Sequence, residues 1–141
     1  SLVNHKYALA QKDGIQFEAR VFIPSVLPFQ SGHLAIIFGN LLENALEACR
    51  KLPQEQRYIM LEATYIKEML QICIKNGSPE KLKKDNSGRY LTTKKDTGCH
   101  GIGLASVEQA LADYDGELFT QHEKGEFQVS AVLYSNSIEE K

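Results

Sequence analysis

Apolar residues along the chain follow two rhythms, and the switches between them set out most of the predicted elements. Ile15, Phe17, Ala19, Val21 and Ile23 alternate with Gln16, Glu18 and Arg20 until Pro24 stops the pattern, which predicts a half-buried strand from Ile15 to Ile23. Upstream, Leu2 to Lys12 predicts a short helix ending at the turn pair Asp13-Gly14. Downstream, Pro24 to Phe29 is a connector, and Ser31 is the expected N-cap of a helix that runs to about Lys51 and is closed by Pro53. Inside this helix Phe38, Leu41, Leu42, Ala45 and Cys49 form one stripe, while Asn40, Asn44, Glu47 and Lys51 fall on the other side. Tyr58 to Tyr65 and Met69 to Ile74 are β-rich runs joined by a short polar turn near Ile66 to Glu68, which reads as a hairpin. Gly77 to Gly98 then offers few apolar residues and no core face. A third helix is expected from about Gly103 to Asp115-Gly116, followed by strands at Glu117 to Gln121 and Phe127 to Tyr134 around a turn at Glu123 to Gly125.

The order helix, strand, helix, strand, strand, long loop, helix, strand, strand predicts an α+β, two-layer sandwich. Its mixed, mostly antiparallel sheet is covered on one face by helices, and the order does not fit a doubly wound dinucleotide fold. With 141 residues and 43% hydrophobic composition, the expectation is one domain over residues 1–141. A formal net charge of -2 and scattered Lys and Arg leave no electrostatic footprint for nucleic acid. No apolar run approaches the ~20 residues that span a bilayer, so no membrane contact is expected of this segment. Cys49, Cys73 and Cys99 are odd in number and lack C-x-x-C spacing, which disfavours a disulfide framework or a zinc site.

Three short stretches carry candidate chemistry. Asn costs a helix about 0.5 kcal/mol relative to Ala, so Asn40 and Asn44, one turn apart in "GNLLENALEA", need a reason; one reading is simply a solvated face. "HGIGL", His100 to Leu104, follows the polar loop and opens a helix, and free N–H groups with closely approachable glycine backbone make a site for an anion such as phosphate. It is not a P-loop, and alone it is equally a turn. "IKNGSP" ends the hairpin at Asn76-Gly77, where an amide that both accepts and donates can read a base edge, or where the pair is an ordinary turn.

Taken together, N-L-L-x-N-A at Asn40 to Ala45, the strand ending in Asn76-x-x-Pro79, the polar loop and H-G-I-G-L resemble the GHKL ATP-binding superfamily. More closely, the chain resembles the catalytic and ATP-binding domain of sensor histidine kinases, in the subgroup that includes bacterial peptide-pheromone receptors. The resemblance implies ATP and Mg²⁺ as ligands, with Asn44 supplying an amide oxygen to the metal and Asn40 touching its water shell or a phosphate. It implies that Asn76 meets the adenine, that His100, Gly101, Ile102, Gly103 and Leu104 line the phosphates, and that residues 77–100 form a lid. Hydrolysing relatives carry Glu where this chain has Asn40. An amide cannot take a proton from water, which favours transfer to a protein histidine over hydrolysis.

The implied partners are a phosphoacceptor and dimerisation domain of the same kinase and a downstream response regulator. The implied setting is the cytoplasmic side of a membrane-bound bacterial parent. His5 is a poor phosphoacceptor, because that residue normally sits on a long dimerising helix; His33 and His122 read as surface residues. Departures from the family pattern are Asn76 in place of Asp, Glu47 and Ala48 in place of Lys and an aromatic, and a late Gly-Thr motif reduced to Gly125-Glu126-Phe127. A phosphate-binding cation is then sought at Arg50, Lys51, Lys94 or Lys95. The alternatives are a degenerate nucleotide-binding or regulatory module of the same fold, and a serine kinase of the anti-sigma type, which Asn40 disfavours.

Overall fold

Period-two strands and a period-3.6 helix can bury their apolar sides only against each other, and here they do so in two layers. The computed structural model describes residues 2–79 and 97–136, and only the backbone of 97–103. The elements are α1 (Leu2–Lys12), β1 (Gln16–Phe22), α2 (Ser31–Arg50), a 3-10 turn at Gln54–Gln56, β2 (Tyr58–Ile66), β3 (Met69–Gly77), α3 (Thr97–Ala112), β4 (Glu117–Glu123) and β5 (Glu126–Tyr134). The strands form one five-stranded sheet in the order β1-β2-β3-β5-β4. β1 is parallel to β2, and every other pair is antiparallel. The expected sandwich, with a mixed sheet and helices on one face, is the architecture observed.

Alternation selects the core. Ile59, Leu61 and Ala63 of β2, Leu70, Ile72 and Ile74 of β3, and Val129, Ala131 and Leu133 of β5 all turn to the helix side and are buried. They meet Ile37, Phe38, Leu41, Leu42, Ala45, Leu46 and Cys49 of α2 and Val107, Ala110 and Leu111 of α3. Each buried Leu or Ile contributes about 1.5–3 kcal/mol relative to exposure, which is what holds an Asn-bearing α2 helical despite its weak formers.

Three local expectations are corrected, and the expected hairpin turn is defined more closely. β1 is not half-buried: Ile15, just ahead of it, is buried, but Ala19 and Val21 are exposed, because the strand is the rim of the sheet and α1 covers little beyond Phe17. Ser31 does not cap α2. Gln30 holds the N-cap position without a side-chain cap bond, and its N–H donates to the Tyr114 hydroxyl at 3.1 Å. α3 begins at Thr97 rather than near Gly103, so the glycines of "HGIGL" lie within its first turns and not in front of them. The β2–β3 turn is the two residues Lys67 and Glu68, both left-handed at φ 53° and 65°, the geometry of a type I′ hairpin without its usual Asn-Gly.

Candidate functional site

Two flanks of α2 can be told apart by what they touch. Lys6 Nζ pairs with Glu43 at 3.0 Å and Arg50 Nε donates to Asp13 Oδ2 at 2.7 Å, which marks the flank facing α1 and the α1–β1 turn. His33 marks the other. Its Nδ1 meets the Tyr114 hydroxyl, just beyond the end of α3, at 2.5 Å, and its Nε2 lies 3.4 Å from Asp113 Oδ2. At 100° per residue, Asn40 and Asn44 fall within about 20° of His33 around the axis, so they lie on the α3-facing flank.

α3 ends where α2 begins, so the two run antiparallel and the start of α3 lies toward the C-terminal half of α2. Asn44 is eleven residues along α2 from His33, and Gly103 is eleven residues back along α3 from Tyr114. At ~1.5 Å per residue both sit about 16 Å from the contact that joins the helices. The sandwich therefore brings the asparagine row and the glycine-rich opening of α3 to the same level. Asn40 Nδ2 donates to the Ile36 carbonyl at 2.8 Å, so its amide nitrogen is held by its own helix; Asn44 is half-buried.

The end of β3 closes the same end of the molecule. Cys49 Sγ, near the end of α2, donates to the Tyr58 carbonyl at 3.3 Å, and burial raises its thiol pKa. Asn76 continues the helix-facing row after Ile72 and Ile74 and is 2% exposed. Its Nδ2 donates to the Gly77 carbonyl at 2.9 Å, which leaves the amide oxygen as the end suited to accept from a ligand. Gly77 is required by close approach, since a Cβ there would stand 2.4 Å from the Gln56 carbonyl oxygen.

The segment beyond β3 is held by the β4–β5 hairpin. Ser78 N–H donates to the Gly125 carbonyl at 2.9 Å, and His122 Nε2 lies 3.0 Å from both Ser78 Oγ and the Pro79 carbonyl. Tyr58 Oη donates to Glu126 Oε1 at 2.6 Å, and burial together with that carboxylate holds the phenol above its usual range.

The structure thus brings Asn44, Asn76 and the backbone of His100, Gly101, Ile102 and Gly103 toward one end, with Asn40 one turn back at the middle of α2 and Leu104 partly buried against the core. Lys94 and Lys95, and the segment 80–96 that makes up most of the expected lid, lie outside the described residues. Arg50 is corrected as a phosphate-binding candidate: it faces Asp13, with Glu43 at 3.6 Å, and that hydrogen bond to Asp13 raises its pKa further. His33 and His122 are not plain surface residues, since each is half-buried with a hydrogen-bond partner. His122 had a readable signal, because in β4 it shares the inward side with Leu118 two pairs away. His33 had none, because its partners are some eighty residues away. Among the described residues no cluster of His, Cys, Asp and Glu could hold a metal ion, and no helix is long and apolar enough to cross a membrane.

This architecture has known counterparts. Residues 30–133 match the GHKL domain family, and the chain belongs to that family. Among solved structures it is similar to the nucleotide-free catalytic domain of the histidine kinase ThkA, at 18% identity over 95% of this chain and 92% of that one, with a TM-score of 0.72. It is also similar to the mycobacterial sensor histidine kinase MprB, at 17% identity over 94% and 91% with a TM-score of 0.66. Full-length ShkA in complex with AMPPNP matches at 19% identity and a TM-score of 0.68, over 94% of this chain but 29% of that protein. At these identities the likeness is one of fold. No curated protein sequence matches the chain.

Proposed function

We propose that this domain binds Mg-ATP between the α3-facing flank of α2, the end of β3 and the opening of α3. It would present the terminal phosphate to a histidine of a separate dimerisation domain, as the catalytic part of a two-component sensor histidine kinase of the pheromone-receptor type. The observation that carries this reading is the level match of Asn44 and Gly103 along antiparallel helices, with Asn76 at the same end. An amide oxygen on one wall, glycine backbone open to close approach on the other and a base-reading amide at the floor are groups suited to a magnesium nucleotide. The likeness to ShkA, solved with an ATP analogue, supports the same ligand here.

In this reading the Asn44 oxygen holds Mg²⁺, a hard cation that takes oxygen donors and keeps several waters. An ion held there would supply charge neutralisation to the phosphates. Asn40, its nitrogen committed to Ile36, turns its oxygen to those waters or to a phosphate. Asn76 accepts from the adenine amino group, more weakly than a carboxylate does. The backbone at Gly101 and Gly103 lets the phosphates come close. The amide at Asn40 cannot serve as a base for water, which favours keeping the phosphoryl group for the acceptor histidine and, after it, a response regulator. The parent's setting is the cytoplasmic side of a bacterial membrane.

Calorimetric titration with Mg-ATP tests the proposal, and saturable heat is expected. No heat at millimolar nucleotide would refute it. The amide at position 76, where relatives carry Asp, favours one second reading, a module that holds nucleotide without transferring phosphate. Incubation with labelled ATP and the phosphoacceptor domain separates the two: label on histidine supports the kinase, and binding without transfer supports the module.

A further inference from the structure

The two rims of the sheet differ in what they offer a neighbour. Gln16 N–H donates to the Arg57 carbonyl at 3.1 Å, and β1 then runs parallel to β2 in the register Gln16↔Tyr58 to Phe22↔Thr64. In such a ladder the backbone groups alternate, so those of Gln16, Glu18, Arg20 and Phe22 bond β2, and those of Phe17, Ala19 and Val21 point away from the sheet. Among the described residues no strand pairs with that side. Natural edges are blunted by prolines, bulges or repelling charges, and β1 contains no proline. Its charges are Glu18 and Arg20, which lie 3.1 Å apart on the helix-free face.

The order of those charges is self-complementary. When a second β1 runs antiparallel about a two-fold axis through Ala19, Glu18 stands opposite Arg20 of the second copy, Arg20 opposite its Glu18, and Phe17 opposite its Val21. The outward backbone groups make Phe17–Val21, Ala19–Ala19 and Val21–Phe17 hydrogen-bonded pairs. Glu18–Arg20 becomes the closely spaced pair, at about 4.5 Å between Cα atoms, where opposite charges attract best. Moving the axis to Glu18 or Arg20 sets like charges against themselves. The same operation on β4 about Thr120 sets Glu117 against Glu123, so that rim repels its own copy. β1 also has apolar surface to gain from cover, with Val21 42% and Phe22 70% exposed.

We infer that β1 is a homotypic docking edge: a second copy of this chain pairs with it antiparallel through Ala19, joining two five-stranded sheets into one of ten. The inference does not depend on nucleotide binding. The contact is seven residues a side, so the association is weak alone and strengthens where a shared partner holds two copies together.

Sedimentation velocity from micromolar to near-millimolar chain tests it, with a dimer fraction that rises with concentration as the expected result. Glu18→Arg should abolish the dimer and the double change Glu18→Arg/Arg20→Glu restore it. Ala19→Pro removes an N–H that β2 does not use, so it should abolish the dimer while leaving the melting temperature within a few degrees. Amide exchange by NMR gives a second readout: Phe17, Ala19 and Val21 should slow with concentration, while Glu18 and Arg20 stay slow throughout. A chain that remains monomeric at every concentration, or a dimer unaffected by Ala19→Pro and by the charge changes, overturns the inference.

Discussion

The two ends of the α2–α3 pair are built on opposite principles. Where α2 starts and α3 stops, Phe29 meets Tyr114 and Tyr65 edge-on at 5.1 and 6.1 Å, and the Tyr114 ring also meets His33 at 5.3 Å. The Tyr114 hydroxyl takes the Gln30 N–H, and its carbonyl takes the Tyr134 N–H at 3.1 Å. One residue thus joins both helices through its side chain and β5 through its backbone carbonyl. At the other end α2 turns amides toward α3, and α3 opens with Gly98, Gly101 and Gly103, each costing a helix about 1 kcal/mol relative to Ala. Rigid aromatic packing fixes the spacing of the helices from afar, and the site end keeps short polar groups and bare backbone for a ligand to approach.

That contrast can be broken from either side. The largest effect is expected at Gly77, where a Cβ meets backbone and not a movable side chain: Gly77→Ala should cost about 3 kcal/mol in thermal melting and weaken nucleotide binding, since the strand end must shift. Tyr114→Phe leaves the Gln30 N–H and His33 without their shared partner and should cost about 1–2 kcal/mol. The same variant should keep Mg-ATP affinity within about threefold if the far end acts only as a spacer, a difference below 1 kcal/mol. Gly103→Ala sharpens the comparison, because it should raise the ligand-free stability by about 1 kcal/mol as a better helix former. It should lower nucleotide affinity in the same titration, so stability and binding move in opposite directions. The smallest effect is at the β2–β3 turn, away from the site: Lys67→Asn with Glu68→Gly relieves two left-handed positions and should stabilise by about 1 kcal/mol with no change in binding.

How much of this was legible in the sequence follows the range of the interactions. α1, α2, the hairpin strands and the helix-on-one-face sandwich were readable because apolar period and turn residues are local, and Leu61, Ile72 and Leu42 declare their side by spacing alone. The exposure of Ala19 and Val21 was not, since alternation looks the same on a rim as in the middle of a sheet. Nor was the cap of α2: a serine at the expected position lost to a tyrosine hydroxyl 84 residues away. The early start of α3 contradicts the propensity of its own glycines, so it cannot be read from them. The asparagine row was visible as an anomaly in a helix, but its facing partner emerged only once the antiparallel run of α2 and α3 placed Gly103 level with Asn44.

The central claim is that Asn44 supplies an oxygen to the metal of a magnesium nucleotide. Calorimetric titration of ATP with and without Mg²⁺, on the unaltered chain and on Asn44→Ala, tests it most directly. The account predicts that the unaltered chain binds at least about tenfold more tightly with Mg²⁺, or about 1.4 kcal/mol. Asn44→Ala should bind equally weakly in both conditions, with a ligand-free melting temperature close to that of the unaltered chain. An Asn44→Ala variant that retains the full magnesium-dependent gain would contradict it.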